Sequence, residues 1–434
     1  MNLRGAKKLV VRITVKHDPY EAFRYVAYWQ FAASYVLAIV GSQVLASTVQ
    51  WDVYQKTKDP FAIGLVGLVG AIPVILLSLP AGHIADQFSR KRVLLCTQIP
   101  LALVPLALAV LNAWNQQGVS LLVTFSLVAA NAVALTFARP TRASILPNLI
   151  PRSAYANAFA WTASLFETAA LVGPAISGVL IAFGVKWSYL FAGLCLVGCL
   201  GITLFFPNDT PKLTENREPG WRALSAGLRF VFGTPMLVAA MTLDLLAVLL
   251  GGATYLMPVF ADRLGVGSIG YGLMRAAPAL GAFVMAVVLA HRSHMPRAGR
   301  TLLWSVATFG SATIVFGLSQ NFWLSLTMLA LIGASDEISV VIRQTLVQSL
   351  TPDSMRGRVS AVNQVFIGAS NELGGLESGT SAYLFGPVQS VVAGGVGALL
   401  VVLGVAGKWP QLRQLGSLGD LKPMEETPSG QEAE

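Results

Sequence analysis

The chain has 434 residues, 54% of them hydrophobic and 12% charged, with a formal net charge of +9. That charged share is about half of what a soluble globular chain carries, so much of the surface must face lipid rather than water. The basic excess suggests nucleic acid at first sight, but its placement along the chain argues for membrane topology instead.

Residues 1–30 are mixed and polar, with Arg4, Lys7, Lys8, Arg12, Lys16, Asp18, Glu21 and Arg24, and show no short apolar core ahead of a cleavage site. The first apolar run is therefore expected to be retained as a span. Twelve apolar stretches follow, near 31–49, 61–81, 93–113, 119–138, 158–183, 188–207, 236–260, 269–290, 301–318, 322–342, 361–386 and 388–406. Each is close to the ~20 residues a helix needs to cross hydrocarbon. Their continuity, without period-two alternation, predicts helices rather than barrel strands. The expected fold is an all-α membrane protein of twelve transmembrane helices in two six-helix halves. Residues 1–207 would hold the amino-terminal tail and first half, and 236–407 the second. The connector 208–235 opens Asn208-Asp209-Thr210-Pro211 and continues with Trp221, Leu224 and Leu228 set against Arg222 and Arg229. It reads as a cytoplasmic linker with a short interfacial helix. The tail 408–434, rich in Gly, Pro, Glu and Ser, is expected to be disordered.

With the amino terminus placed in the cytoplasm, that side holds 25 of the 30 Lys and Arg residues. The outer side holds Lys56, Lys58, Lys186 and Arg263, and Arg275 lies within a span. Basic residues favour cytoplasmic loops, so both termini are expected inside a plasma (inner) membrane. Cys96, Cys195 and Cys199 fall in apolar runs and read as spectator thiols, while His291 and His294 have helical spacing but no third ligand, so no metal site is expected.

An internal repeat supports two halves related by a pseudo-two-fold axis. Arg139-Pro140-Thr141 with Leu146 matches Arg343-Gln344-Thr345 with Leu350 at an offset of 204. Glu167 matches Glu372 at 205, and Arg92-Val93-Leu94-Leu95 matches Arg300-Thr301-Leu302-Leu303 at 208. Parallel duplication of this kind places a binding site between the halves.

After the second span comes Gly82-His83-Ile84-Ala85-Asp86-Gln87-Phe88-Ser89-Arg90-Lys91-Arg92. It resembles the cytoplasmic loop signature of the major facilitator superfamily, Gly-x-x-x-Asp-Arg-x-Gly-Arg-Arg/Lys, with Gln87 and Ser89 replacing the usual Arg and Gly. The resemblance implies a conformational latch of Gly82, Asp86, Arg90, Lys91 and Arg92. Gly82 would permit close helix approach, and Asp86 would meet the positive end of span eleven near Ser360 in one conformer. Span five carries Ala169-x-x-x-Gly173-Pro174-x-x-Ser177-Gly178, similar to the antiporter signature of drug exporters. As a whole, the chain resembles the enterobactin-exporter and macrolide-efflux branch of that superfamily. Gly64-Leu65-Val66-Gly67, Trp221-Arg222-Ala223-Leu224 with Gly227-Leu228-Arg229, and Thr351-Pro352 with Met355-Arg356-Gly357-Arg358 carry this resemblance.

Charges within the spans add evidence of their own: Glu167, Asp244, Arg275, Asp336, Glu337, Glu372 and Glu377. Facing lipid they would cost about 3 kcal/mol each, so they must face protein or a watery cavity. Asp244 is either interfacial or proton-coupling, and Asp336 shares a helical face with Arg343 as a possible charge pair. Glu337 shares a face with Gly333, Ala330 and Thr327, a surface suited to packing or to a cavity. Glu377 lies close to the outer mouth. Glu167 and Glu372, deepest and repeat-related, are favoured with Asp244 and Glu337 as protonatable groups. Arg275 either neutralises an acid or attracts an anionic substrate. Gln43, Ser47, Gln50 and Tyr54 form a polar stripe on span one; with Asn131 and Tyr255 they line a cavity or serve as interhelical hydrogen-bonding groups.

These readings converge on a secondary transporter, not an enzyme. It is expected to export a siderophore or lipophilic drug-like molecule by proton-coupled alternating access, with no cofactor beyond the proton gradient. The partners expected are an amphipathic small molecule and the bilayer, without nucleic acid, for a functional monomer. Import of an organic solute and lipid transport stay open as alternatives.

Overall fold

The computed structural model describes residues 18–115, 118–207, 220–251, 254–291, 295–352 and 355–420. In the first half, α1 (Val26–Thr57), α2 (Pro60–Gln87), α3 (Arg90–Trp114), α4 (Leu121–Leu149), α5 (Tyr155–Ala182) and α6 (Val185–Leu204) follow one another through short turns. A surface helix, α7 (Gly220–Gly233), then turns through 103° into the second half. There α8 (Pro235–Leu250), α9 (Met257–Arg263), α10 (Gly267–Ala290), α11 (Ala298–Leu318), α12 (Phe322–Leu350), α13 (Arg356–Phe385) and α14 (Pro387–Lys408) are followed by the short α15 (Pro410–Gln414). Ten of these helices are individually long and apolar enough to cross a membrane. Among the described residues the bent pair of α7 and α8 makes an eleventh candidate, and α13 has 30 residues that include Arg356, Arg358, Glu372 and Glu377.

Three expectations need correcting. The run 236–260 is not one continuous helix: α8 stops at Leu250 and α9 starts at Met257. Gly251 caps the end of α8, because glycine has the poorest helix propensity of any residue except proline, and hydropathy is blind to that. The fourth and tenth spans run to Leu149 and Leu350, so Arg139, Arg142 and Arg343 stand on the helices themselves. The tail is folded as far as Asp420. Leu412 is fully buried, and the backbone N–H groups of Ala298 and Gly299 donate to the carbonyls of Gly416 and Leu415, at 3.0 and 3.4 Å. Composition suggested disorder there, but two leucines suffice to dock so short a segment. Residues 421–434 and 208–219 lie outside the described residues.

The helix contacts repeat between the halves. In the first, α1 packs on α5 and α6, α3 on α4 and α6, and α2 on α4. In the second, α8 packs on α13 and α14, α11 on α12 and α14, and α10 on α12. Between the halves α2 meets α13 and α5 meets α10, a pair of contacts that a two-fold axis interconverts. Both crossings are glycine on glycine. A Cβ on Gly178 would come within 2.7 Å of the Gly272 Cα, and one on Gly379 within 2.7 Å of the Gly64 Cα. Lipid offers helices no hydrophobic drive to associate, so such close backbone approach is how they gain contact.

These crossings also reset the repeat. Gly178 and Gly379 are 201 residues apart, as are the first residues of α4 and α12 and of α5 and α13. Arg343 therefore corresponds to Arg142, not Arg139, and Glu167 corresponds to Gly368, not Glu372. The sequence match had slipped by about one helical turn, a spacing at which side chains recur on the same face and weak matches look alike.

The two ends of the bundle are built differently. At the end opposite the α2–α3 turn, one core spans both halves: Trp51, Tyr54, Ile63 and Ile181 pack with Leu256, Phe260, Tyr271 and Phe316. At the end carrying the α2–α3 turn, here termed the basic end, each half has its own core. One gathers Tyr28, Phe31, Leu94, Leu146 and Phe206, the other Leu237, Leu302, Leu346, Val402 and Leu412.

Candidate functional site

Gln43, Ser47, Gln50 and Tyr54 share one face of α1, and Ser47 and Tyr54 of that face meet the second half. The Tyr54 hydroxyl donates to Asp262 Oδ2 at 3.4 Å, next to an ion pair of 3.0 Å between Lys58 Nζ and the same oxygen. Lys58 ends α1 in the left-handed region, φ 51°, where glycine is usual. Further in, the Trp51 and Tyr271 rings lie 5.1 Å apart, and the Tyr271 hydroxyl donates to the Ser47 carbonyl at 2.9 Å. Ser47 Oγ and Gln50 Oε1 are buried without a hydrogen-bond partner. Gln43 packs on Gly173 of α5, where a Cβ would approach the Gln43 Cβ to 2.7 Å. On α10, Arg275 Nη1 donates to the Thr254 carbonyl at 3.4 Å, beside the break between α8 and α9, and its Nε is buried without a partner. Asn131 of α4 likewise keeps a buried, unpartnered Oδ1. The Tyr255 ring instead packs over Gly375 of α13, where an added Cβ would meet it at 2.7 Å.

The acids divide into two groups. Glu167 of the first half acts electrostatically on Asp336 and Glu337 of the second, so carboxylates from both halves come together at mid-depth. Tyr35 lies close to both Glu167 and Arg142, with the Arg142 guanidinium 5.9 Å from its ring centre. Asp244 forms a buried ion pair with Arg343, joining α8 to α12, and lines the same small cavity as Asp336. The charge pair expected between Asp336 and Arg343 thus goes to a different acid, because α8 brings its own carboxylate against the guanidinium. Gly333 and Ala330 pack against Pro278 and Gly281 of α10, so the small-residue surface below Glu337 is a helix contact. Glu377 accepts from the Ser378 hydroxyl at 3.3 Å. Glu372 stands in α13, but its side chain lies outside the described residues.

The remaining motifs fall as follows. Asp86 is in the last turn of α2, and its side chain also lies outside the described residues. A Cβ on Gly82 would meet nothing within 4 Å, so the close approach expected there is not made in this conformer. Lys91 Nζ donates to the Phe206 carbonyl just past the end of α6, at 2.6 Å, where a cation complements the helix dipole. Arg90 begins α3, and Arg92 is exposed. Pro174 and Gly178 are buried in α5, Gly178 at the crossing with α10. Cys195 and Cys199 are buried and Cys96 exposed, all three as free thiols. His291 Nδ1 lies 2.8 Å from the Val287 carbonyl, and His294 lies outside the described residues.

One buried charge escaped the sequence reading. Asp52, 3% exposed, binds Lys56 Nζ at 2.7 Å and accepts from the Tyr189 hydroxyl at 3.1 Å, tying α1 to α6. The i, i+4 spacing of Asp52 and Lys56 was the available signal.

Comparison with known proteins agrees with this architecture. The profile of a family described as transmembrane secretion effectors matches residues 18–430. Enterobactin exporter EntS of Shigella boydii serotype 18 is 29% identical over 386 residues, covering 84% of this chain and 87% of that protein. EntS of Escherichia coli O1:K1 is 28% identical over 384 residues, with the same coverage. Among solved structures, a variant of the nucleoside transporter NupG superposes with a TM-score of 0.72 at 13% identity, over 88% of this chain and 99% of that one. A bacterial homologue of the human lysosomal transporter Spinster, inward-facing and unoccupied, gives 0.70 at 14% identity over 92% and 99%.

Proposed function

We propose that this chain, which belongs to the transmembrane secretion effector family of the major facilitator superfamily, exports a siderophore or another amphipathic small molecule in exchange for protons. The carrying observation is the pairing of a sealed end with a central acidic meeting point. A shared core and the Lys58–Asp262 ion pair close one end of the seam, while Glu167 of one half lies within electrostatic reach of Asp336 and Glu337 of the other. The kinship with enterobactin exporters supports the cargo class. In this reading the basic end is cytoplasmic, as the Lys and Arg distribution favours, and cargo enters from there. Burial favours the neutral form of a carboxyl, so acids meeting between the halves suit proton binding. Protonating Glu167 or Glu337 would relieve repulsion across the seam and shift the balance between inward-open and outward-open states. Asp244, held by Arg343, would keep α8 and α12 together rather than carry protons. Asp86 with Arg90 would latch the cytoplasmic ends in the opposite state, where Gly82 gains its neighbour.

The test is retention of enterobactin in siderophore-producing cells with and without this protein, followed by transport in inverted vesicles under an imposed pH gradient. Lower retention, with vesicle accumulation that collapses with the gradient, is the expected result. Raised retention would indicate import, and gradient-independent movement would remove the proton coupling.

A further inference from the structure

Of Arg142, Arg275 and Arg343, three arginines on the bundle helices, two have an acid at hand. Arg343 pairs with Asp244, and Arg142 shares the surroundings of Tyr35 with Glu167. Arg275 has no ion pair with a described acid; its Nη1 donates to the Thr254 carbonyl, and its Nε is buried and unpartnered. A guanidinium kept in a membrane protein without a carboxylate is costly unless something else supplies negative charge.

Its surroundings point to what that is. Arg275 stands one turn along α10 from Tyr271, toward the basic end and on the same face. Tyr271 bonds to the Ser47 carbonyl, so Arg275 opposes the polar face of α1 where Gln43 and Ser47 stand. Ser47 is fully buried and Gln50 is 6% exposed, yet Ser47 Oγ and Gln50 Oε1 also lack partners. Buried polar atoms are normally satisfied, and unsatisfied ones on both sides of a transport seam, Arg275 Nε on α10 and Ser47 Oγ on α1, mark a place for a ligand. The set holds two donors, the Arg275 N–H and the Ser47 hydroxyl, and one acceptor, Gln50 Oε1. We infer that Arg275 and Ser47 form a subsite for an acidic oxygen group of the cargo, a carboxylate, phenolate or sulfonate, with a neighbouring hydroxyl or amide N–H of the cargo reaching Gln50 Oε1 one turn nearer the sealed end. The subsite lies beneath the Trp51–Tyr271 contact, so cargo seated there presses on the seal that must part for release.

This inference rests on the efflux reading but is tested without a gradient or a direction of transport, so the two fail separately. Protein reconstituted in nanodiscs is titrated with anilinonaphthalene sulfonate and with phenylnaphthylamine, which share a ring skeleton and differ in the sulfonate; empty nanodiscs are subtracted. The unaltered protein is expected to bind the sulfonate more tightly. Arg275→Gln should weaken the sulfonate roughly tenfold or more, as loss of a charged hydrogen bond implies, and leave the neutral probe within about twofold. Retained binding of the neutral probe also shows that the variant is folded. Arg275→Lys, which keeps the charge, should bind the sulfonate more tightly than Arg275→Gln does. Equal weakening of both probes would make Arg275 a structural brace for the α8–α9 break and overturn the subsite. So would an unchanged sulfonate affinity in Arg275→Gln, or an unaltered protein with no preference for the sulfonate.

Discussion

Asp244 and Arg343 show how a buried charge is read differently alone and in company. On sequence, Asp244 is an acid in an apolar run and a candidate proton carrier; in the fold it is one half of a buried ion pair. Removing one member of such a pair strands the other, at a cost of about 3–5 kcal/mol, whereas replacing both with apolar residues of similar volume is often neutral. Asp244→Leu is therefore expected to lower thermal stability sharply, and Asp244→Leu with Arg343→Met to recover most of the loss. Thermal unfolding of the purified variants decides it, and a double variant as unstable as the single one would refute a structural pair.

At the scale of elements, the glycine crossings decide how the halves approach. The atoms that an added Cβ on Gly178 would meet belong to the Gly272 and Ser268 backbone, which cannot swing aside as a side-chain tip does. Gly178→Val should force α5 from α10 and reduce transport more than tenfold while the protein still inserts, since transmembrane helices insert one by one before they pack. Gly201→Val on α6 is the control, because a Cβ there meets nothing within 4 Å. Vesicle transport normalised to protein abundance provides the comparison. Equal activity in the two variants would mean that the crossing can widen without consequence.

For the whole molecule, the seam between the halves is the part that the proposed mechanism requires to move. Lys58 stands in a backbone conformation that costs a non-glycine residue roughly 1–2 kcal/mol, yet its side chain carries the ion pair to Asp262. Alternating access requires that contact to break. With Cys96, the exposed thiol, replaced by Ser, the variant Lys58→Cys, Asp262→Cys joined by a short bis-maleimide is expected to lose transport entirely. Unlinked protein of the same variant should remain active. Full transport after complete cross-linking, checked by the shift in gel mobility, would rule out opening at this end.

The sequence by itself determined that the chain is helical throughout and carries many runs long and apolar enough to span a membrane. Apolar runs of bilayer length, few charges and helical periodicity are local properties that no packing can override. It also placed Gln43, Ser47, Gln50 and Tyr54 on one face, since spacing along a helix is enough for that. Only the tertiary structure decided that Tyr54 and Ser47 of this face meet α9 and α10 while Gln43 meets α5, that Arg343 takes Asp244 rather than Asp336, and that Gly178 and Gly272 touch. The offset of 201 that matches Gly178 with Gly379 likewise emerged from contacts, because neighbouring turns of a helix look alike in sequence. Pairings such as these depend on the relative rotation and depth of helices far apart in the chain, set by the summed fit of many small side chains, and no single stretch of sequence carries that sum.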